Sequence, residues 1–290
     1  MSWRIVKISS NSKLDYKLGC MVVRNEAVKK IHLSEISLLI IESTAVSITG
    51  ALLSEMVKKK IKIIFCDDKR DPISELLPYY GSYDTSNKIR QQITWTGETK
   101  LIVWAEIVRE KIKKQRNLLI ELDRGEEELL HEYMNSVLPG DSTNREGHAA
   151  KVYFNAIYGK DFTRTEESAT NAALNYGYTI MLSSFNREIV SNGYITQLGI
   201  FHNNMFNQFN LGSDLMEPFR ILVDRKVLEM EPEKLENEEK MELINILNEE
   251  VYINNQVTNV MNSIKIYVKS VLDAINDNDI SNIRFYRNEL

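Results

Sequence analysis

Two carboxylates and one imidazole, those of Glu146, His202 and Glu217, are the side chains of this sequence best suited to chemistry. The first glutamate precedes a pair of alanines, the histidine closes a Gly-x-x-His turn, and the second glutamate precedes Pro-Phe-Arg. Such a set can hold a hard divalent cation and leave coordination positions open, which a cation needs in order to polarise a phosphate. If the three side chains meet in space, we expect a metal site that cuts or joins nucleic-acid strands.

Glu146 also has a purely structural interpretation. The run 143–146 fits a capping box, in which the glutamate reaches back to the amide of the capping residue. Small residues follow at 147, 149 and 150, and they would let another helix approach and draw the carboxylate inward, where it needs a cation or a donor. His148 lies about 200° around a helix from Glu146, so we expect it to be structural or to support the site only indirectly.

Asp214 and Glu217 are three residues apart, which places both carboxylates on one face of a helix and requires an ion or a basic partner nearby. In the structural alternative, Ser213 caps a helix, Asp214 favours its positive end, and Arg220 pairs with Glu217. Pro218 is tolerated only near a helix start, which supports a start at Ser213.

A run rich in amides and aromatics, residues 203–210, follows His202. A lone histidine is usually structural, but this run is too polar for a core helix and too aromatic for a disordered tail. Amide side chains bond phosphates, and phenylalanine stacks on a splayed base. The run therefore favours a nucleic-acid partner.

The formal net charge of −5 argues against such a partner, but the charge is unevenly distributed. Residues 229–250 hold nine glutamates and two lysines, which leaves the remainder slightly basic. We expect the acidic segment to be a solvated helix. Phosphate binding depends on local basic surface, for which the candidates are Lys111, Lys113, Lys114 and Arg187. Alternatively, these lysines line a solvated helix face.

Cys20 and Cys66 are the only cysteines, too few for a disulfide framework or a thiolate metal cage. We expect two buried, reduced thiols. The sequence opens without an apolar leader and contains no apolar run near the roughly 20 residues that a membrane span requires. We therefore expect a soluble, cytoplasmic protein that does not associate with membranes.

The hydrophobic pattern predicts an α+β fold, with a small β-rich N-terminal domain followed by a larger all-α C-terminal domain. We place the first domain at 1–82, a linker at 83–87 and the helical domain at 88–290. Short apolar runs predict strands at 3–8, 20–23, 36–41 and 61–65, an extended piece between Pro72 and Pro78, and a helix that Ser47 or Thr49 caps and that runs through Lys60. Apolar periodicity predicts helices at 89–122, 143–159, 170–192, 214–229, 234–250 and 253–275.

Taken together, these motifs resemble the CRISPR-associated integrase family, over the full length and most closely in its type II-A form. The stretches that carry the resemblance are 65–70, 77–80, 144–154, 175–178, 206–211, 213–220 and 223–225. The resemblance implies that Glu146, His202 and Glu217 bind Mg²⁺ or Mn²⁺ and that Asp214 is an auxiliary catalytic or structural carboxylate. Two departures are Ile221, where relatives often carry proline, and Glu217, where many carry aspartate.

The resemblance also implies a function in CRISPR adaptation. The 3′-hydroxyl of captured double-stranded DNA would be joined to the CRISPR repeat by transesterification, with a sequence-tolerant endonuclease activity alongside. The implied partners are a second copy joined through the N-terminal domain, a small companion adaptation protein in a heterohexamer, the type II-A effector nuclease and a ring-forming DNA-end protein. From the residues alone, a non-catalytic DNA-binding scaffold and a metallohydrolase of small phosphate esters remain alternatives.

Overall fold

The computed structural model describes residues 4–78 and 82–287, so Trp3, Gly81 and the motif residues Tyr79 and Tyr80 lie outside the described residues. The chain divides into two compact units, Met1–Gly81 and Ser82–Leu290. The first unit is β-rich and the second mainly helical, which confirms the predicted fold class.

Eight strands and one helix build the described part of the first unit, residues 4–78. They are β1 (Arg4–Ile8), β2 (Ser12–Lys17), β3 (Cys20–Arg24), β4 (Val28–His32), β5 (Ile36–Ile41), β6 (Val46–Ile48), α1 (Gly50–Lys58), β7 (Lys62–Cys66) and β8 (Pro72–Glu75). One sheet has the order β1-β5-β7-β8, with its first three strands parallel and β8 antiparallel. The other has the order β4-β3-β2-β6, antiparallel except for the parallel pair of β2 and β6.

The core of this unit lies where both sheets meet α1. Every residue of β5 is buried, because it is a central strand with neighbours on both edges and apolar side chains on both faces. Leu39 of β5, Leu14 of β2 and Leu52 of α1 belong to one apolar cluster. The helix is capped by Thr49, whose hydroxyl accepts a hydrogen bond from the amide of Leu52.

Both cysteines are free thiols, as predicted, but only one of them is fully buried. Cys66 is buried at the end of β7, whereas Cys20 is half-buried at the start of β3. The prediction of burial is therefore wrong for Cys20.

Nine helices and one hairpin build the second unit, as far as the structure describes it. They are α2 (Thr85–Ile93), α3 (Gly97–Glu121), α4 (Glu127–Asn135), α5 (Arg145–Tyr158), α6 (Ala169–Ser191), α7 (Asn210–Met216), α8 (Arg220–Met230), α9 (Asn237–Asn245), β9 (Glu250–Ile253), β10 (Gln256–Asn259) and α10 (Val260–Asp277). Short 3-10 turns lie at Pro139–Asp141, Glu217–Phe219, Ile246–Asn248 and Ile280–Asn282. No helix among the described residues is both long and apolar enough to cross a bilayer.

The single helix predicted over 89–122 is wrong, because the chain breaks between α2 and α3. The hydroxyl of Thr94 bonds back to the carbonyls of Arg90 and Gln91, and that of Thr96 accepts from the amide of Thr99. Threonines that bond neighbouring backbone groups end one helix and start the next. In addition, α2 begins at Thr85, inside the segment expected to be a linker.

Three further helix predictions need correction. The helix predicted over 214–229 begins at Asn210 and is interrupted by the 3-10 turn that contains Pro218, so the start at Ser213 is wrong. The helix predicted over 234–250 spans only Asn237–Asn245, and the one predicted over 253–275 begins only at Val260, because residues 250–259 form the antiparallel hairpin of β9 and β10. A domain with this hairpin is not all-α, although it is mainly helical.

Helix α6 packs closely against α8 and α9 at Gly177. A Cβ atom built on this glycine would lie 2.4 Å from Cγ1 of Val223 and 3.3 Å from Cδ2 of Leu243. Real Cβ atoms do not approach other atoms so closely, so the contact depends on the missing side chain. Val223 is completely buried and precedes Asp224, which lines the cleft described below.

We predict that Gly177→Ala lowers the free energy of unfolding by about 1–3 kcal/mol, because the added methyl overpacks a buried helix contact. Urea unfolding followed by circular dichroism measures the change. Gly97→Ala is the matched control, since a Cβ there meets nothing within 4 Å. Equal stability of the two variants would contradict the packing argument.

Candidate active site

Lys111 of α3 lies between the two candidate glutamates. Its Nζ is 2.6 Å from Oε1 of Glu146 and 2.5 Å from Oε2 of Glu217. The side chains of Lys111 and Glu217 are 11% and 4% exposed, so this cluster is largely shielded from water. Two carboxylates separated by more than seventy positions in sequence thus converge on one cation.

Glu146 owes its position to the start of α5. Asn144 adopts a left-handed backbone conformation with φ of 52°, and its side chain accepts a hydrogen bond from the amide of Gly147. The carboxylate of Asp141 accepts from the amides of Arg145 and Glu146 at 2.8 and 2.9 Å. The start of the helix is therefore held by two other side chains, and Glu146 bonds Lys111 rather than the capping residue. The capping-box alternative is wrong.

Glu217 opens the 3-10 turn between α7 and α8, and both of its oxygens have partners. Nε of Arg220 lies 2.9 Å from Oε1, so the pairing considered from sequence is present, while Lys111 holds Oε2. Burial by itself raises the pKa of Glu217, but the positive charges of Arg220 and Lys111 outweigh it and lower that pKa to about 2. Glu217 is thus held ionised in the interior.

Asp214 is fully buried and holds the loop that carries His202. Its Oδ2 accepts hydrogen bonds from the amides of Ile200 and Phe201 at 2.6 and 3.0 Å, and its Oδ1 accepts from the amide of His202 at 3.0 Å. A Cβ on Gly199 would lie 2.7 Å from Oδ2 of Asp214, so only glycine lets the loop come this close. Asp214 stabilises this loop rather than the end of a helix.

The ring of His202 is oriented by the same carboxylate. Nδ1 lies 2.5 Å from Oδ1 of Asp214, and the ring meets Trp104 of α3 edge-on with centroids 5.7 Å apart. The hydrogen bond to Asp214 raises the pKa of His202, and the negative charges of Glu217 and Glu146 raise it further. A carboxylate on one ring nitrogen is the arrangement that orients metal-binding histidines and leaves the other nitrogen for the ion.

Two carboxylates and an imidazole are donors that suit a divalent cation, but the expected meeting of all three side chains is not seen among the described residues. In the described part of the chain, no three His, Cys, Asp or Glu side chains converge in a metal-binding arrangement. Glu146 and Glu217 instead share the ammonium of Lys111, and His202 pairs with Asp214. The ammonium shows that the two carboxylates are close enough to bind one cation together.

A cleft of about 270 Å³ opens beside the two glutamates. Its wall includes side chains that the sequence did not single out as site residues: Phe154, Arg164, Tyr178 and Asp224. The guanidinium groups of Arg220 and Arg164 lie 4.6 and 5.5 Å from the centre of the Tyr178 ring. Cations and aromatic rings therefore line the approach to Glu217.

Asp224 is a buried acid on this wall, bonded by the hydroxyls of Tyr153, at 3.1 Å, and Tyr178. Burial raises its pKa to about 6, although both hydroxyl bonds and the charge of Arg220 oppose the rise. A helical spacing of four from Arg220 was the sequence signal that could have placed Asp224 at the site.

Of the four basic residues predicted to contact phosphate, only Lys111 lines this cleft. Lys113 is exposed and bonds Glu110 at 3.1 Å. Lys114 is wrong as a surface contact, because it is buried over the ring of Tyr286 and burial lowers its pKa to about 8. Arg187 is half-buried, with Nε 3.5 Å from Oε1 of Glu188, so it does not present a free basic surface either.

The amide-rich run 203–210 is a hydrogen-bonded loop. The side chain of Asn210 donates to the carbonyls of Gln197 and Asn204, and that of Asn204 accepts from the amide of Phe206. These amides support the loop itself, whereas the Phe206 side chain is exposed. His148 is also exposed, beside the ring of Tyr133. It pairs neither with Glu146 and Glu217 nor with Asp214.

The acidic segment 229–250 is solvated, as predicted, but is helical only in part. Glu236 and Glu239 form a capping box at the start of α9, and Glu238 and Glu242 are exposed. Lys226 pairs with Glu229 and Glu249 at its two ends.

Comparison with known proteins places this fold and these motifs in one family. The sequence profile of CRISPR associated protein Cas1 matches residues 6–260. The chain belongs to the Cas1 family. A CRISPR-associated endonuclease Cas1 from Neisseria meningitidis is 30% identical over 291 residues, which cover 98% of this chain and 96% of the relative.

Solved structures of the Cas1 fold agree with this membership. A casposase bound to its integration product aligns with a TM-score of 0.78 at 17% identity, covering 97% of this chain and 92% of the casposase. A Cas6-RT-Cas1–Cas2 complex contains a chain that aligns with a TM-score of 0.75 at 18% identity, over 99% of this chain and 36% of that longer one. At these identities the likeness shows the shared Cas1 fold.

We predict that Lys111→Met lowers the free energy of unfolding at pH 7 by up to about 3 kcal/mol, because it leaves two carboxylates facing each other without their shared cation. The lowered pKa of Glu217 contributes stability that is present above its ordinary value of 4.5 and is lost as pH falls through about 2. The deficit of the variant should therefore be largest at neutral pH and shrink in acid. Urea unfolding at pH 7 and at pH 3, inside the interval between 4.5 and about 2, measures it.

Lys113→Met is the control for this prediction, because Lys113 lies on the same helix but is exposed. A Lys111→Met variant as stable as Lys113→Met at pH 7 would contradict the argument.

We predict that Asp214→Asn lowers the pKa of His202 towards its ordinary value and speeds hydrogen exchange of the amides at 200–202, because one acceptor oxygen and the negative charge are lost. A histidine with a raised pKa contributes stability that is full below about pH 6.5 and is lost as pH rises through the folded-state pKa. This part of the stability difference from the unsubstituted protein should shrink as pH rises.

Two-dimensional NMR titration of the histidine rings measures the pKa, and the exchange rates come from the same samples. Asp273→Asn, at an exposed pair with Lys269 on α10, is the control. An unchanged His202 pKa in Asp214→Asn would show that the short contact to Asp214 does not set the charge of the ring.

Proposed function

We propose that this chain is a divalent-metal-dependent DNA integrase and endonuclease of CRISPR adaptation. The observation that supports this most is the convergence of Glu146 and Glu217 on one ammonium, with His202 oriented by a carboxylate and close enough to feel both charges. Membership of the Cas1 family and the Neisseria relative named as an endonuclease point the same way.

The proposed ligands of Mg²⁺ or Mn²⁺ are the carboxylates of Glu146 and Glu217 and the Nε2 nitrogen of His202. When bound, such an ion supplies positive charge at the reacting phosphate and makes an attacking hydroxyl more acidic. Asp214 acts as a positioning residue, because it holds both the His202 ring and the backbone beneath it. Arg220 keeps one oxygen of Glu217 in place.

The proposed reaction is a transesterification. The 3′-hydroxyl oxygen of the captured DNA forms a new bond to a phosphorus at the edge of the CRISPR repeat, and the bond from that phosphorus to the leaving 3′-oxygen breaks. The hydroxyl gives up a proton and the leaving oxygen gains one, so one phosphodiester replaces another and no external energy source is required. Water in place of the 3′-hydroxyl gives sequence-tolerant cleavage.

The cleft beside the ligands suits a nucleic-acid strand. Arg164 and Arg220 bring positive charge to its wall, where they lie over the rings of Phe154 and Tyr178. Arginine groups bond phosphate oxygens, and the rings beneath them hold the two guanidinium groups in place. A small phosphate ester would use little of this extended surface.

The proposed partners follow from the family. A second copy would associate through the N-terminal unit, and a small companion protein would join two such dimers in a heterohexamer. The solved Cas6-RT-Cas1–Cas2 complex supports a companion protein of this kind. For a type II-A system, the effector nuclease and the ring-forming DNA-end protein would act in spacer capture.

We expect Glu146→Gln to reduce strand joining more than about 100-fold while DNA affinity changes little. Substituting a residue that only hydrogen-bonds a metal ligand typically lowers metal affinity or activity by about 10–100-fold. Loss of a ligand carboxylate itself should therefore lower activity more. The measurement is joining of a labelled duplex to a repeat-containing plasmid with Mn²⁺ or Mg²⁺, together with fluorescence anisotropy for binding. Glu121→Gln removes an exposed carboxylate from a distant pair with Arg225 and is the control.

A Glu146→Gln protein that joins strands within a few-fold of the control would refute the ligand assignment. If the unsubstituted protein binds DNA equally with and without chelator and never joins strands, the non-catalytic scaffold is the correct function. Turnover of a mononucleotide with little dependence on salt would instead favour the metallohydrolase, since binding to a DNA backbone weakens steeply with salt.

A further inference from the structure

The two oxygens of the Glu217 carboxylate face different cations, Arg220 and Lys111. Oε1 of Glu217 is held by Nε of Arg220 at 2.9 Å, and Oε2 is 2.5 Å from Nζ of Lys111. Lys111 also holds Oε1 of Glu146 at 2.6 Å. A divalent cation that joined Glu146 to Glu217 while Arg220 stayed in place would compete with the ammonium for the position between these two oxygens. The ammonium already occupies that position.

Charge makes the two cations exclude each other. The carboxylates of Glu146 and Glu217 are already balanced by Lys111 and Arg220. A doubly charged ion placed within a few ångströms of the ammonium would meet strong repulsion in a site this shielded from water. Arg220 is less able to leave, because its guanidinium both bonds Glu217 and lies 4.6 Å from the centre of the Tyr178 ring.

The cleft leaves room for the side chain of Lys111 to move away from the two glutamates. This side chain lines the cleft of about 270 Å³, and a lysine ammonium on a flexible four-carbon stem can turn into that space without any movement of α3. The proposed substrate phosphate enters the same cleft. A phosphate oxygen there would give the displaced ammonium a new partner.

We propose that Lys111 is a tethered cation that holds Glu146 and Glu217 together until a divalent ion displaces it, and that the displaced ammonium then binds the substrate phosphate. This inference rests on the proposed function, because it takes the two glutamates as metal ligands and DNA as the substrate. The consequence is that metal binding and DNA binding are coupled. Metal binding frees the Lys111 ammonium to contact phosphate, and DNA that binds this ammonium removes it as a competitor of the metal. Such coupling is reciprocal by thermodynamic necessity.

Isothermal titration with Mn²⁺ tests the competition. Lys111→Met should bind Mn²⁺ at least about tenfold more tightly than the unsubstituted protein, because the competing ammonium is gone. Adding duplex DNA with 3′-dideoxy ends, which cannot react, should tighten Mn²⁺ binding of the unsubstituted protein by about fivefold or more and that of Lys111→Met by clearly less. Lys113→Met, on the same helix, should behave as the unsubstituted protein.

A second measurement uses the unsubstituted protein and so does not depend on a folded Lys111→Met variant. Acetylation by a small reagent, read by mass spectrometry, should modify Lys111 faster when Mn²⁺ is present and slower again when DNA is added. Lys269, an exposed lysine of α10 that is not among the candidate phosphate contacts, should remain constant. Mn²⁺ affinity of Lys111→Met that is equal to or weaker than that of Lys113→Met would overturn the inference. Labelling of Lys111 that does not respond to Mn²⁺ would overturn it as well.

Metal-dependent strand joining by the unsubstituted protein is measured alongside. If joining occurs and Lys111→Met shows ordinary Mn²⁺ affinity, the tethered-cation inference fails and the proposed function stands. If Mn²⁺ binds no variant and joining is absent, both fail together.

Discussion

The ion pair of Lys111 with Glu146 and Glu217 is the interaction around which the helical unit is arranged. Two carboxylates held close together in a shielded site repel each other, and their burial is tolerable only with a cation between them. That cation comes from α3, a helix of 25 residues whose apolar side chains, such as Val108 and Ile112, are buried on either side of the lysine. The packing of α3 therefore fixes where the two glutamates can meet.

One face of α3 serves both halves of the site. Trp104 lies seven residues, or about two turns, before Lys111, so the two side chains lie on the same side of the helix. The tryptophan ring stacks on Phe201 with centroids 4.5 Å apart and meets His202 edge-on. The imidazole and the two carboxylates belong to a loop, a helix start and a 3-10 turn that are far apart in sequence, and all three contact side chains of α3.

The sequence was most informative where a residue type has few uses. Asp214 and Glu217 could be selected because carboxylates at helical spacing need a partner, and Glu146 because the small residues beside it draw its carboxylate inward. The structure gives each of the three a partner. Rules based on neighbouring residues predicted less well which structural role a residue takes. Ser213 has the right type for a cap, yet the helix begins earlier, because the carbonyl of Phe209 already accepts a hydrogen bond from the amide of Ser213. The hairpin at 250–259 was missed because its apolar residues also fit a helical period.

Lys111 and Asp224 show the limit of the sequence more clearly. The lysine stands in a basic run that includes Lys113 and Lys114, and nothing in their spacing tells that one bridges acids, one faces solvent and one is buried. Those fates depend on which neighbours the fold brings to each face of α3. Asp224 is likewise an ordinary helical acid until Tyr153 and Tyr178 enclose it.

Asp141 and Asp214 each hydrogen-bond the main chain at or next to a candidate metal ligand. The first accepts the amides of Arg145 and Glu146, and the second accepts those of residues 200–202. A backbone amide is the same whatever side chain its residue carries. These hydrogen bonds to the two aspartates therefore do not depend on the identity of most residues around them. Neighbouring loop positions can therefore vary, or a loop can grow by insertion, without moving the reactive groups, and a lineage can reshape what surrounds this centre as long as it keeps two aspartates.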